Sequence, residues 1–212
     1  YRNDVAREFG EHLLEKYEVE RKTFKPEIVE DLVEENKLST EYQKLMASAE
    51  IEFEGEKRNL SGLIPFAESK DRDMRKRASE AAWNWIAANQ EQLDELYDKL
   101  VKVRHRIGQK LGHENFVPVA YARMGRTDWD QQDAKNYRKQ IVESVVPLVR
   151  KFRKEQAQRI GISDMKNYDY ALMFLSGNPT PKGEEDYLVA QAKDMYKALS
   201  PKTEAFFNLM LD

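Results

Sequence analysis

The chain has 212 residues, enough for one large domain or two small ones with a real hydrophobic core. Apolar residues make up 41% and charged residues 34%, with a mean hydropathy of -0.80. That is too apolar for a disordered chain, and charged enough to call for long solvent-facing helices. With no cysteine there is no disulfide scaffold, thiolate zinc site, iron–sulfur ligation or cysteine nucleophile, and no apolar run of about 18 residues is present to span a membrane. Residues 1–60 carry 10 basic and 16 acidic side chains, residues 61–160 carry 20 and 14, and residues 161–212 carry 5 and 8. The basic middle is interleaved with acids at helical spacing, as in Asp71 with Arg75 and Glu95 with Lys99. With a pI near 5.8 the expectation is solvated helix faces rather than a nucleic-acid surface.

Taken in chain order, the apolar residues Val5, Phe9, Leu13, Leu14 and Tyr17 recur every three or four positions and predict one amphipathic helix from Asp4 to about Glu20. This opening is charged throughout and has no signal-peptide core. It lacks an initiator Met, so the expectation is a chain that begins inside a longer one. Pro26 starts a second predicted helix with Ile28, Val29, Leu32 and Val33. Ser39-Thr40 predict the start of a third, which carries Tyr42, Leu45 and Met46. Glu50-Ile51-Glu52-Phe53-Glu54 then alternates strictly, Gly55 supplies a turn, and a β-hairpin over about 50–60 follows, with Ile51 and Phe53 facing a core.

No Gly or Pro interrupts Phe66 to Ile107. Met74, Ala78, Ala81, Ala82, Trp85 and Ile86 make one apolar stripe, continued by Leu93, Leu96, Tyr97, Leu100, Val103, Ile107 and Leu111. Asn89-Gln90 marks either a kink or a joint, which periodicity does not decide. Gly112 suits a helix C-cap. Pro118 and Gly125 bracket a short segment from Val117 to Met124. A long helix is predicted after Thr127-Asp128 as far as about Gly161, kinked at Pro147. Ser176 to Pro181 is a turn-rich loop; Leu188, Ala192, Met195 and Leu199 mark another helix, and Ser200-Pro201 open the last. That helix carries Ala205, Phe206, Phe207, Leu209, Met210 and Leu211 around its whole circumference, which predicts that a packing partner lies outside the chain. The expected fold class is all-α, mostly long antiparallel helices, with one small β-hairpin.

Chemistry is scarce in this pattern. A zinc peptidase of the H-E-x-x-H kind needs two imidazoles one helical turn apart, with the Glu as base. His113-Glu114-Asn115-Phe116 begins that way, but Val117 stands where the second ligand belongs and Pro118 spoils the helix. His12 follows Glu8 by four residues with no second pair, and His105 is separated from His113 by Gly108 and Gly112. No phosphate-cradling glycine loop and no G-x-S-x-G motif occurs. The expectation is therefore no catalytic and no metal-ligating residue in these 212 positions.

The order of short motifs is more specific than any one of them. Leu45 to Phe53, Gly55-Glu56 and Asn59-Leu60-Ser61-Gly62-Leu63 are followed by Asp71-Arg72-Asp73-Met74-Arg75-Lys76-Arg77-Ala78. Next come Leu93 to Asp98, Leu100 to Arg104, Lys110 to Phe116, and Tyr121-Ala122-Arg123-Met124 with Arg126. Tyr168-Asp169, Gly177-Asn178-Pro179 and Phe206-Phe207 complete the series. Over roughly residues 26–212 this series resembles the oligoendopeptidase F family of zinc metallopeptidases, relatives of the thimet oligopeptidases. The resemblance implies a helical fold enclosing a channel for short peptides. It also implies a zinc ion held by an H-E-x-x-H motif and a further Glu, all downstream of Phe206-Phe207. By that resemblance, residues 1–112 are a helical lobe with the hairpin and residues 113–212 begin the peptidase domain. The expected function is a fragment of a cytoplasmic zinc endopeptidase acting on oligopeptides, with zinc in the intact enzyme, none in this chain, and no activity by itself. Partners follow from it: an oligopeptide substrate, no nucleic acid, no membrane, and self-association through the uncovered apolar face. A non-catalytic helical interaction module is the alternative. Tyr121, Arg123, Arg126 and Tyr168 are the candidate substrate-groove residues, because Arg pairs with carboxylates and Tyr offers an amphipathic wall. The competing reading of each arginine is a staple that ties helices together.

Overall fold

The computed structural model describes residues 1–211, of which 72% are helical. The opening amphipathic stretch is two helices and not one. Gly10 takes φ 88° and ψ 155°, outside helical space, and divides α1 (Arg2–Phe9) from α2 (Glu11–Arg21). Glycine reaches that φ without a Cβ clash, and the apolar spacing on either side does not register the break.

A 3-10 turn at Pro26–Ile28 leads into α3 (Val29–Ala47), a single helix where two were expected. Ser39 and Thr40 lie inside it. The Thr40 hydroxyl donates back to the Asn36 carbonyl at 2.8 Å instead of capping a new helix. Leu38 is buried, and Leu32 and Leu45 pack against the same core, so burial of one continuous face outweighs the local capping preference.

The hairpin forms where the alternation places it. Strands β1 (Ile51–Phe53) and β2 (Glu56–Arg58) pair antiparallel, with Ile51 opposite Arg58 and Phe53 opposite Glu56. Glu54 and Gly55 both have positive φ, 52° and 77°, the requirement of a two-residue type I′ connection. Ile51 and Phe53 are buried, and Phe53 meets Phe66 edge to face at 5.1 Å.

After a 3-10 turn at Ser61–Leu63 and the one-turn α4 (Ile64–Ala67), the turn-free interval holds α5 (Arg72–Ala88) and α6 (Gln90–Lys110). Asp71 caps α5 by accepting from the Asp73 amide at 3.0 Å. Asn89 is a joint: its backbone leaves helical space and its side-chain amide donates to the Trp85 carbonyl at 2.8 Å. Tyr97 departs from the expected stripe, being 72% exposed. Gly112 takes φ 92° just past α6, as a C-terminal glycine should.

Helix α7 (Val117–Arg123) follows. The next helical run begins at Gln131, slightly later than expected, because Asp130 and Asp133 form a reciprocal capping box for α8 (Gln131–Gln140). It continues through a π turn, Ile141–Val145, into α9 (Val146–Arg159). Pro147 has no N–H to give the Glu143 carbonyl, and the chain absorbs that loss one turn early, where the Val146 amide reaches back to Ile141.

Two compact units divide the chain, Tyr1–Leu175 and the residues from Ser176 onward. In the first, one core joins α3, α6 and α7 through Ile28, Val103, Ile107 and Val119; another seats the hairpin on α5 through Ile51, Phe53, Leu63 and Ala78. Each large apolar side chain fully buried in this way stabilises the fold by about 1.5–3 kcal/mol. The second unit holds α10 (Glu185–Leu199) and α11 (Pro201–Leu211). Ser200 starts α11 by accepting from the Thr203 amide at 3.1 Å, and Tyr196 stacks on Phe207 at 4.4 Å.

Candidate functional site

The four groove candidates go to three different places. Arg123, at the end of α7, donates to Glu35 on α3 at 2.8 Å. Arg104 of α6 donates to the other oxygen of the same carboxylate at 2.7 Å. Burial pushes the Glu35 carboxyl up, but hydrogen bonds from Arg104 and Arg123 together outweigh it and hold it below its ordinary value. Arg123 thus joins three helices through one anion, which is the staple reading of that residue.

Tyr168 lies in a 3-10 turn, Asn167–Asp169, under the guanidinium of Arg72 at 5.7 Å. Its neighbour Asp169 carries more of the local structure. Asp169 is 0% exposed and accepts from Arg75, itself 1% exposed, at 2.7 Å. It also accepts from Arg72 at 2.9 Å and from the Lys166 amide at 2.9 Å. Burial works against the charged form, yet the Arg72, Lys166 and Arg75 hydrogen bonds leave Asp169 below its ordinary value. Two sequence motifs nearly a hundred residues apart, Asp71 to Arg75 and Tyr168-Asp169, are therefore one ion-pair knot between α5 and the segment after α9. Gln156 of α9 pins the far side of that segment by donating to the Leu172 carbonyl at 2.7 Å. Neither Asp169 nor Gln156 stood out in the sequence as a polar group destined for burial, and Arg75, expected on a solvated helix face, is buried with Asp169.

Tyr121 and Arg126 are brought together. The Arg126 guanidinium lies 4.2 Å from the Tyr121 ring centroid and 3.9 Å from that of Trp129, and the two rings meet edge to face at 5.8 Å. They stand in an open cleft of ≈ 650 Å³ between α2, α7 and the start of α8. Val19, Val117 and Pro118 give it apolar walls, and Lys22, His113 and Asp128 add polar groups. A volume of that order and a mixed lining suit a small ligand or a few residues of peptide. Trp129 was not among the sequence candidates, since a lone Trp in a loop carries no period.

The three histidines lie on separate parts of the chain. His12 is on α2 beside Glu15 at 3.4 Å, His105 is on α6, and His113 lines the cleft. Among the described residues no three His, Asp or Glu side chains converge on a common point. Among the same residues, no helix is long and apolar enough to cross a membrane.

Neither the protein-family models nor the curated proteins gave a match to this chain. Solved structures did. Pz peptidase A, determined with an inhibitor, is 49% identical over 100% of this chain, with a TM-score of 0.93. A protein designated oligoendopeptidase F, whose crystals were grown by microfluidic seeding, is 48% identical with a TM-score of 0.93. A further protein so designated, from Bacillus anthracis strain Ames, is 47% identical with a TM-score of 0.90. The chain spans 38%, 37% and 39% of their respective lengths. Over the whole of its own length, in fold and in nearly half of its residues, the chain resembles the oligoendopeptidase F peptidases.

Proposed function

We propose that this chain is part of a zinc-dependent metalloendopeptidase that hydrolyses short oligopeptides, and that its 212 residues are inactive without the rest of such a protein. The single observation that carries the reading is identity of 47–49% over every residue to structures named as oligoendopeptidase F or Pz peptidase. Zinc and its ligands are assigned to the part of those longer proteins that this chain does not span. Residues 1–112 are read as a supporting lobe, and residues 113–212 as the start of the peptidase domain. Location in the cytoplasm is part of the same proposal.

On this reading the chain's contribution is binding and framing. The ion-pair knots at Glu35 and Asp169 hold α3, α5, α6 and α7 in register, and the cleft beside Tyr121 and Arg126 offers a wall for peptide. The test compares the 212-residue chain with a longer gene product that includes the sequence beyond Asp212, using a fluorogenic oligopeptide with and without a chelator. The longer protein should turn over and the chelator should abolish it, while the short chain stays silent. Chelator-sensitive turnover by the short chain, or a longer protein with no peptidase activity, overturns the proposal.

A further inference from the structure

We infer that Arg126 is a carboxylate-binding arm, and that the cleft around it takes the carboxylate of an oligopeptide with an apolar residue next to it. The inference rests on the reading of the longer protein as an oligopeptide-handling enzyme, and it names the chemical group of the ligand that this cleft would recognise.

Four other arginines are already engaged. Arg72 and Arg75 are committed to Asp169, and Arg104 and Arg123 to Glu35. Arg126 is held differently. Its charge sits against two aromatic rings, 4.2 Å from Tyr121 and 3.9 Å from Trp129. Among the described residues its guanidinium meets these two rings, with no carboxylate within ion-pair distance and no side chain or carbonyl accepting from it. An attraction to ring faces is electrostatic and engages no N–H group, so the guanidinium donors remain available. The rings also limit the rotamers of a long side chain, which lowers the entropy lost when the fork closes on a ligand. A staple would have shown its acceptor, as Arg123 does.

The cleft then selects the anion. Asp130 and Asp133 line it, but both are occupied with the amides at the start of α8. Asp128 adds another negative charge to the lining. The three aspartates repel a dianion such as phosphate more strongly than a monoanion, while Lys22 and Arg126 supply the positive charge of the lining. A carboxylate matches the guanidinium fork in both charge and shape. Val19, Val117 and Pro118 supply the apolar surface for the side chain next to that carboxylate.

The experiment uses the 212-residue chain, labelled with nitrogen-15. It is titrated with N-acetyl-trileucine as the free acid, as the C-terminal amide, and with an amidated analogue carrying a central Glu. The free acid should bind and shift the Arg126 Nε–H and Trp129 indole signals, with the neutral amide about tenfold weaker, the size of one charge-assisted hydrogen-bonded contact. Arg126→Gln, and also Arg126→Lys, should lose that difference without a change in melting temperature. Restored binding by the Glu analogue supports the site and makes a side-chain carboxylate its source; binding by the free acid alone makes the peptide terminus the source. Equal binding of acid and amide, binding of neither, or undiminished preference in Arg126→Gln overturns the inference. Failure here beside normal hydrolysis by the longer protein removes only the carboxylate arm. Acid-selective binding beside a longer protein with no activity removes the peptidase reading instead.

Discussion

At the scale of single residues, Asp169 joins burial and charge in one side chain. It is fully buried, neutralises a buried Arg75, and is reached by Arg72 from the solvent side. Removing one partner of a buried pair leaves the other charged and uncompensated, a loss of about 3–5 kcal/mol. Asp169→Asn keeps the shape and deletes the charge, so the urea midpoint should fall by that equivalent. A change under about 1 kcal/mol, the range of an exposed pair, would show the knot to be solvated in solution. The pH dependence has a definite sign. Asp31, hydrogen-bonded foremost by Lys110, lies below its ordinary value of 3.8, and Asp169 and Glu35 lie below 3.8 and 4.5. Lowered folded values mean that these groups stabilise the fold fully above the unfolded values and lose that contribution as pH falls through about 4 and below. Stability should therefore drop steeply on acidification from about pH 5. The drop should be shallower in Asp169→Asn, as read from urea midpoints along a pH series.

At the scale of elements, the contact between α6 and the start of α7 depends on a missing side chain. Gly108 is buried inside α6, and a Cβ there would stand 2.6 Å from the Asn115 carbonyl oxygen and 2.9 Å from the Phe116 nitrogen. Backbone cannot yield as a flexible side chain would. Gly108→Ala gains about 1 kcal/mol of helix propensity, but overpacking against backbone costs about 1–3 kcal/mol or more. Net destabilisation is the expected outcome, along with displacement of α7 and with it Tyr121, visible as shifts in the Trp129 indole signal. A variant more stable than the parent would mean that the two segments separate readily. In the sequence this glycine shows only as a break between His105 and His113, because nothing local reveals what approaches it.

For the molecule as a whole, the apolar surface is the unusual quantity. Leu148 and Phe152 on α9 are 47% and 55% exposed, and on α11 Phe206, Leu209 and Met210 are 59%, 73% and 58% exposed. Apolar patches of this kind on a protein that spans 37–39% of its relatives' lengths favour association. Sedimentation velocity should show the average mass of the 212-residue chain rising with concentration. Replacing Phe206 and Met210 with Glu should return it to the monomer. A parent chain that stays monomeric throughout would argue that these faces are tolerated in water.

What the amino-acid order determined by itself was the local part of this protein. Alternation around Ile51 and Phe53 specified a hairpin, Gly112 and Ser200 specified helix ends, and the apolar stripes specified α10 and the helical run that Asn89 divides into α5 and α6, because each depends on neighbours within a few residues. The collinear motifs went further and identified the family resemblance without saying how the motifs meet. Tertiary structure decided the rest. Burial against α6 carried α3 straight through Ser39-Thr40, and Gly10 split a stretch whose apolar period never faltered. The fate of the arginines was likewise a matter of three dimensions: Arg123 found Glu35 across 88 positions and Arg75 found Asp169 across 94. Among the described residues, Arg126 found two rings. Charge pairing in a folded core is set by which helices pack together, and that is a property of the whole chain, which no local window contains.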